Sequence, residues 1–149
     1  MSTVRWGIVG AGSIAGSVAG DFQFVPGASL VGIASRSQHK ADVFAAHHGI
    51  PAAYGSYREM ISDPEIDAVY IATPHPQHRD VALAAIAAGK AVMVEKAFAA
   101  TLDGARQIVD AAQARGVFAM EAMWTRFLPA VAAAREVVAW GRIGDAIAV

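Results

Sequence analysis

Four short stretches of this chain carry residue types that can do chemistry. Gly10-Ala11-Gly12-Ser13-Ile14-Ala15 closes an apolar run and opens a helical one. Gly10 permits a tight turn, Gly12 lets backbone approach a pyrophosphate, and Ala15 is small where helix and strand must touch. A helix starting at Ser13 and Ile14 would aim its free N–H groups and positive dipole end at the phosphates. The second stretch, Ala34-Ser35-Arg36-Ser37, ends the next apolar run. An NAD site carries a carboxylate there for the ribose hydroxyls. Arg36 suits a 2′-phosphate instead, pairing bidentately and stacking on adenine. Ser35 and Ser37 can donate hydrogen bonds, and Lys40 lies one turn on. NADP is therefore the expected cofactor, with NAD the lesser alternative. The competing reading is a solvated arginine and a site open to both.

The third stretch is Thr73-Pro74-His75-Pro76-Gln77-His78, which follows a strongly apolar strand. Two prolines stiffen it, and His75 and His78 can hydrogen-bond to a cofactor, a substrate or the loop itself. Two histidines without a third ligand at suitable spacing make no metal site. The fourth is Glu95-Lys96, after the next apolar strand. A lysine at a strand's carboxyl end can exchange a proton with a carbonyl or hydroxyl undergoing hydride transfer. An exposed strand-end ion pair is the plainer reading.

These stretches need a frame, and the hydropathy supplies one. Apolar runs at Val4–Val9, Leu30–Ala34, Ala53-Tyr54, Ala68–Ala72, Ala91–Val94 and Val117–Met120 read as strands. Helical patterns lie between them at Ser13–Phe24, Gln38–His48, Gln77–Ala88 and Leu102–Ala114. Gly49 and Gly116 suit helix C-termini, Ser56 and Glu59 have capping-box spacing, and Pro76 suits the first helical position. Apolar strands alternating with helices predict an α/β, doubly wound parallel sheet covered on both faces. In such a sheet the ligand crevice lies beyond the strands' carboxyl ends, where all four stretches fall. Trp6 is expected in the core. A last helix is expected over Pro129–Trp140, then a strand from Asp145 to Val149. A strand ending there would be an unpaired edge. The expected organisation is a dinucleotide-binding domain over 1–122, with 123–149 a connecting helix and the first strand of a truncated second domain.

Composition narrows the classes. At 149 residues, 55% apolar and 17% charged, the chain is long and apolar enough for a real core, and disorder is excluded. Twelve basic residues against thirteen acidic ones, with no basic stripe, argue against nucleic acid. The absence of cysteine excludes disulfides and thiolate chemistry. The uncharged runs Trp6–Gly20 and Phe22–Ser35 fall short of the roughly 18 residues of a membrane span. Their glycines and weak basic flank make a poor signal peptide, so a cytoplasmic location is expected.

Together the glycine loop, the Thr73-Pro74 turn with His78, and Glu95-Lys96 resemble the glucose–fructose oxidoreductase/inositol dehydrogenase (Gfo/Idh/MocA) family. The stretch Glu121-Ala122-Met123-Trp124-Thr125-Arg126-Phe127-Leu128-Pro129, with the Ser35-Arg36 end, is similar to the branch of dihydrodiol and NADP-dependent xylose dehydrogenases. The resemblance implies a Rossmann fold and hydride transfer between NADP and a sugar or diol. It assigns Lys96 as catalytic or substrate-orienting and Arg36 as the 2′-phosphate ligand. It puts His75, His78 and Glu95 near the nicotinamide, and Trp124 and Arg126 along the cofactor cleft. Ala97 stands where much of the family has proline, and His75 where many members have asparagine. The resemblance also implies a second domain that binds substrate and forms a homo-oligomer. On this reading the chain alone binds cofactor weakly, catalyses little and exposes apolar surface from Trp124 onward. A non-catalytic dinucleotide sensor and a partner-binding domain remain as the alternatives.

Overall fold

The computed structural model describes residues 3–145 and residue 147. Six strands form one sheet: β1 Val4–Val9, β2 Ala28–Ala34, β3 Ala52–Tyr54, β4 Ala68–Ile71, β5 Ala91–Val94 and β6 Ala119–Glu121. Their spatial order is β3-β2-β1-β4-β5-β6, and every adjacent pair is parallel. This is the doubly wound arrangement, a Rossmann fold. The chain winds outward from β1 to β3, returns to β4 beside β1, and winds out the other way. The direction reverses between β1 and β4, so the connections leaving their carboxyl ends diverge and open a crevice.

Alternation along each strand supplies both faces. Ile8, Ile33 and Tyr70 pack beneath α1 (Ser13–Asp21) and α2 (Gln38–His48) with Ala15, Ala45 and Ile50. Val9, Val69, Ile71, Val92 and Val94 point to the other face. There they meet α3 (Tyr57–Ser62), α4 (His78–Ala87) and α5 (Leu102–Arg115) through Met60, Val81, Ile86 and Ile108. Trp6 is half-buried rather than central, its ring 5.9 Å from that of Phe22.

Several boundaries differ from the sequence expectation. α1 ends at Asp21, and Phe22–Phe24 tightens into a 3₁₀ turn. Val25 precedes Pro26, which disfavours a further α turn. Strand β2 begins at Ala28, because pairing with β1 already starts at Val4 opposite Ala28. Pro76 lies in a 3₁₀ turn over His75–Gln77, and α4 begins only at His78. Ser56 caps α3 by accepting from the Arg58 N–H, so the expected reciprocal bond through Glu59 is not the cap. β6 starts at Ala119, since Val117 N–H still bonds back to Ala112 behind the left-handed Gly116. α6 (Pro129–Ala139) forms as expected, preceded by a 3₁₀ turn at Trp124–Phe127, and buries no residue. The strand expected over 145–149 falls largely outside the described residues; Asp145 and Ile147 have no regular structure. Among the described residues no helix is long and apolar enough to cross a membrane.

Candidate functional site

Hydrogen bonds one step beyond the strands set the site loops level with one another. Gly10 N–H donates to Ala34 O, Ala72 N–H to Val9 O, Glu95 N–H to Ile71 O and Ala122 N–H to Val94 O, all within 3.0 Å. The loops carrying Gly10, Ser35, Thr73 and Lys96 therefore leave the sheet at the carboxyl ends of its strands. Between the first three of these lies a cleft of about 730 Å³. Of the expected site residues, Gly10, Gly12, Ser13, Ile14, Ser35, Arg36, Lys40, Thr73 and Pro74 line it. His75, His78, Glu95, Lys96, Trp124 and Arg126 do not.

The two glycines have different jobs. Gly10 has φ +107°, and a Cβ there would stand 2.6 Å from Ala72 O, so the fold itself requires glycine. A Cβ on Gly12 would meet nothing within 4 Å; it would project into open space. Gly12 is also the N-cap of α1 and has no side chain to cover the first-turn N–H groups. The first turn holds no acidic residue either. Bare amide donors, a positive dipole end and free space above Gly12 fit a phosphate. Across the cleft the Thr73 Oγ1 is buried without a hydrogen-bond partner, a further polar group aimed at this region.

At the end of β2, Ser37 caps α2 by accepting from the Lys40 N–H, which opens the helix directly after Arg36. Arg36 and Lys40 are exposed, and neither side chain joins an ion pair or hydrogen bond among the described residues. Two cations thus stand at the cleft's mouth with their charge unspent. No carboxylate follows β2. The wall opposite is Gly55, Ser56 and Tyr57, which the sequence reading passed over as a helix start. Gln77 and Asp80 also reach the cleft, and Asp80 is engaged by Arg79 at 2.7 Å.

Beyond the cleft, side chains are spent on holding loops. His78 is fully buried. Its Nδ1 lies 2.9 Å from Ala97 O and its Nε2 2.7 Å from Thr73 O, so the ring ties the loop after β4 to the loop after β5. Of the partners the sequence leaves open for it, a cofactor, a substrate or the loop itself, α4 turns the ring to the loop, and both nitrogens lie against backbone carbonyls. His75 is exposed, donates from Nε2 to Lys96 O at 3.0 Å, and packs edge-on to His78. Glu95 accepts the Tyr70 hydroxyl at 2.5 Å and the Lys96 N–H at 3.1 Å, rather than pairing with the Lys96 ammonium. Burial pushes the Tyr70 phenol far above the ordinary tyrosine range, and the bond to Glu95 adds to the shift. The Lys96–Ala97 peptide is cis. The Lys96 side chain is exposed and makes no hydrogen bond or ion pair among the described residues.

Trp124 and Arg126 sit on the 3₁₀ turn after β6, both exposed. Trp124, Phe127, Trp140 and Ile143 leave about two-thirds of their surface open, the apolar exposure expected for this segment. One residue that the sequence reading did not single out is Glu121, whose carboxylate accepts the Phe98 N–H at 2.7 Å. Its sequence signals are a charge at the end of a short apolar strand and its place at the head of the Glu121–Pro129 stretch, and neither points to Phe98.

Known proteins share this arrangement. Mouse trans-1,2-dihydrobenzene-1,2-diol dehydrogenase is 45% identical over 144 residues, 95% of this chain and 43% of its own. The human protein of the same name is 43% identical over the same shares. The chain thus spans less than half the length of these relatives. Among solved structures, an NAD binding oxidoreductase from Klebsiella pneumoniae superposes with a TM-score of 0.88 at 33% identity, over 96% of this chain and 40% of that one. A 3-ketoreductase from Actinomadura kijaniata, in complex with NADP and TDP-benzene, gives 0.87 at 26% identity over 94% and 43%. Residues 4–123 match the oxidoreductase family described by an NAD-binding Rossmann fold. The chain belongs to that family, Gfo/Idh/MocA.

Proposed function

We propose that this chain is the cofactor-binding part of an NADP-dependent oxidoreductase acting on a CH–OH group of a sugar or diol. The observation that carries the cofactor choice is the end of β2: Ser35, Arg36 and Lys40 line the cleft where an NAD site would hold a carboxylate. A guanidinium and an ammonium, both without partners among the described residues, suit a dianionic 2′-phosphate. The uncapped start of α1 suits the pyrophosphate. The substrate class comes from the relatives named as dihydrodiol dehydrogenases.

NADP, when bound, accepts or returns the hydride. The chain's part is to orient and to move a proton. With its amine neutral, the Lys96 Nζ takes the hydroxyl proton as the carbinol carbon loses hydride and becomes a carbonyl. In reduction its ammonium gives that proton back to the oxygen. His75 and His78 hold the Lys96 turn against the loop after β4, so the amine is delivered from a fixed backbone. Residues 1–122 serve as the dinucleotide domain in this reading, and 123–149 as the connection to a substrate-binding domain. Trp124 and Arg126 then face the junction.

Isothermal titration of NADP and NAD against this chain and its Arg36→Ala variant tests the cofactor reading. A lost charge-assisted pair of about 1.5–3 kcal/mol weakens NADP by roughly tenfold to a hundredfold. NAD should change by less than about threefold, since it lacks the phosphate. Equal affinities that ignore the variant overturn NADP specificity. A panel of sugars and diols read by NADPH absorbance should show little turnover with this chain, and appreciable turnover would overturn the reading that a second domain completes the site.

A further inference from the structure

The turn that carries Lys96 is held at four backbone groups. Glu95 takes the Lys96 N–H, His75 donates to the Lys96 carbonyl, and His78 reaches the Ala97 carbonyl. On the far side the Phe98 N–H donates to Glu121 Oε1 at 2.7 Å. Glu121 is the last residue of β6, in register with Val94, the last of β5. The following bond, Ala122 N–H to Val94 O at 2.7 Å, fixes that register. The Glu121 carboxylate therefore has a defined place beside the turn, while Phe98 packs on the core and anchors the turn's end. The Glu95 and histidine contacts act on Lys96 and Ala97, and none of them reaches Phe98. Remove the Glu121 acceptor and the turn keeps its entry but loses its exit.

We infer that Glu121 is a positioning residue for Lys96: its bond to the Phe98 amide fixes the exit of the turn and thereby the direction in which the amine projects. The contact is an acceptor function and needs an oxygen, with no requirement for charge. The inference rests on the reading of Lys96 as the proton-transfer group.

The test uses this chain with lysine labelled at the ε-carbon and ζ-nitrogen. There are three lysines, Lys40, Lys90 and Lys96, so three signals are read. Lys90 donates to Asp63 O and Ile66 O at the opposite, amino-terminal ends of the strands and reports folding. In the parent chain, saturating NADP should move the Lys40 and Lys96 signals and leave Lys90 in place. Glu121→Met keeps bulk and removes the acceptor; its Lys96 signal should lose the response to NADP. Glu121→Gln keeps a carbonyl oxygen and should restore that response. Phe98 amide exchange should speed roughly tenfold in the methionine variant only. A methionine variant whose Lys96 response to NADP matches the parent's overturns the inference. An unprotected Phe98 amide in the parent chain overturns it as well, and needs no variant should the methionine protein fail to fold. If NADP moves Lys40 but not Lys96 in the parent while Phe98 stays protected, the proton-transfer reading has failed, and the inference falls with it.

Discussion

The two halves of the site are built by opposite means. Around β1 and β2 the structure offers a ligand its backbone and its unspent charges. Gly12 is bare, the first turn of α1 is uncapped, and Arg36 and Lys40 hold no partner among the described residues. Around β4, β5 and β6 nearly every polar side chain is already used. Tyr70 holds Glu95, Glu95 holds the Lys96 amide, His78 bridges two loops, and Glu121 takes the Phe98 amide. The first half binds, and its groups wait for something to bind. The second half positions, and spends several residues on aiming one amine. The same substitution should therefore read out as lost affinity in the first half and as lost stability or geometry in the second.

Gly10 and Gly12 break that comparison most sharply, because they sit two residues apart in the binding half. Gly10→Ala forces a side chain onto φ +107° and to 2.6 Å from Ala72 O. It should cost about 2 kcal/mol or more of stability, and binding goes with it. Gly12→Ala meets nothing in the fold, so the melting temperature should hold. Its methyl occupies the space above the helix start, and NADP affinity should fall by tenfold or more, about 1.4 kcal/mol. Melting curves paired with titrations check both. A Gly12→Ala chain that binds NADP as tightly as the parent would remove the phosphate from this position.

Tyr70→Phe probes the positioning half. The phenol is buried, and its loss leaves Glu95 with one bond fewer, at about 1–2 kcal/mol in chemical denaturation. The pH dependence has a definite sign. The folded-state phenol ionises above its unfolded value of about 10, so its contribution is complete below that pH and disappears as pH rises further. Tyr54 differs in degree: burial and its bond to Asp63 raise it to about 12. A phenolate absorbance titration should show the Tyr54 component near pH 12, absent in Tyr54→Phe, with Tyr70 ionising only as the fold is lost. Ionisation of Tyr70 alongside Tyr54 in a folded chain would contradict its burial against Glu95.

Much of this division was legible in the residues. Ala68–Ala72 and Ala91–Val94 read as strands because their apolar runs are unbroken, as befits β4, buried on both faces, and β5, buried on one and half-buried on the other. Gly49 and Gly116 announce helix ends because a left-handed backbone requires them. The binding half works through glycines and a displaced charge, which are visible one residue at a time. The positioning half works through bonds between distant residues, such as Glu121 to Phe98 or His78 to Ala97. A single strand-end carboxylate carries no mark of its partner, and a histidine beside a site loop looks like a ligand until the helix turns it inward. The 3₁₀ turns at His75–Gln77 and Trp124–Phe127 were missed for the same reason. They are set by where the chain must go next, not by local periodicity.

The smallest effect is expected at the amino ends of β1 and β4, where no ligand group lies. Arg5 donates to both oxygens of Asp67 and also to Glu65, and the Arg5 amide donates to Asp67 as well. These bonds hold the Asp67 carboxyl down at about 2. Asp63 is lowered too, chiefly by the Tyr54 hydroxyl. Because the folded value of Asp67 is depressed, its contribution is present above the unfolded value of about 3.9 and fades as pH falls toward 2. The pair is largely exposed, so solvent screens it and the stability at stake is small. Asp67→Asn should lower the melting temperature slightly at pH 7, and parent and variant should converge near pH 2. NADP affinity should be unchanged in the variant, since the cleft lies at the far ends of the same strands. A variant that weakened NADP binding would mean that the two ends are coupled through β1 and β4, and that the separation of binding from support stops short of the sheet itself.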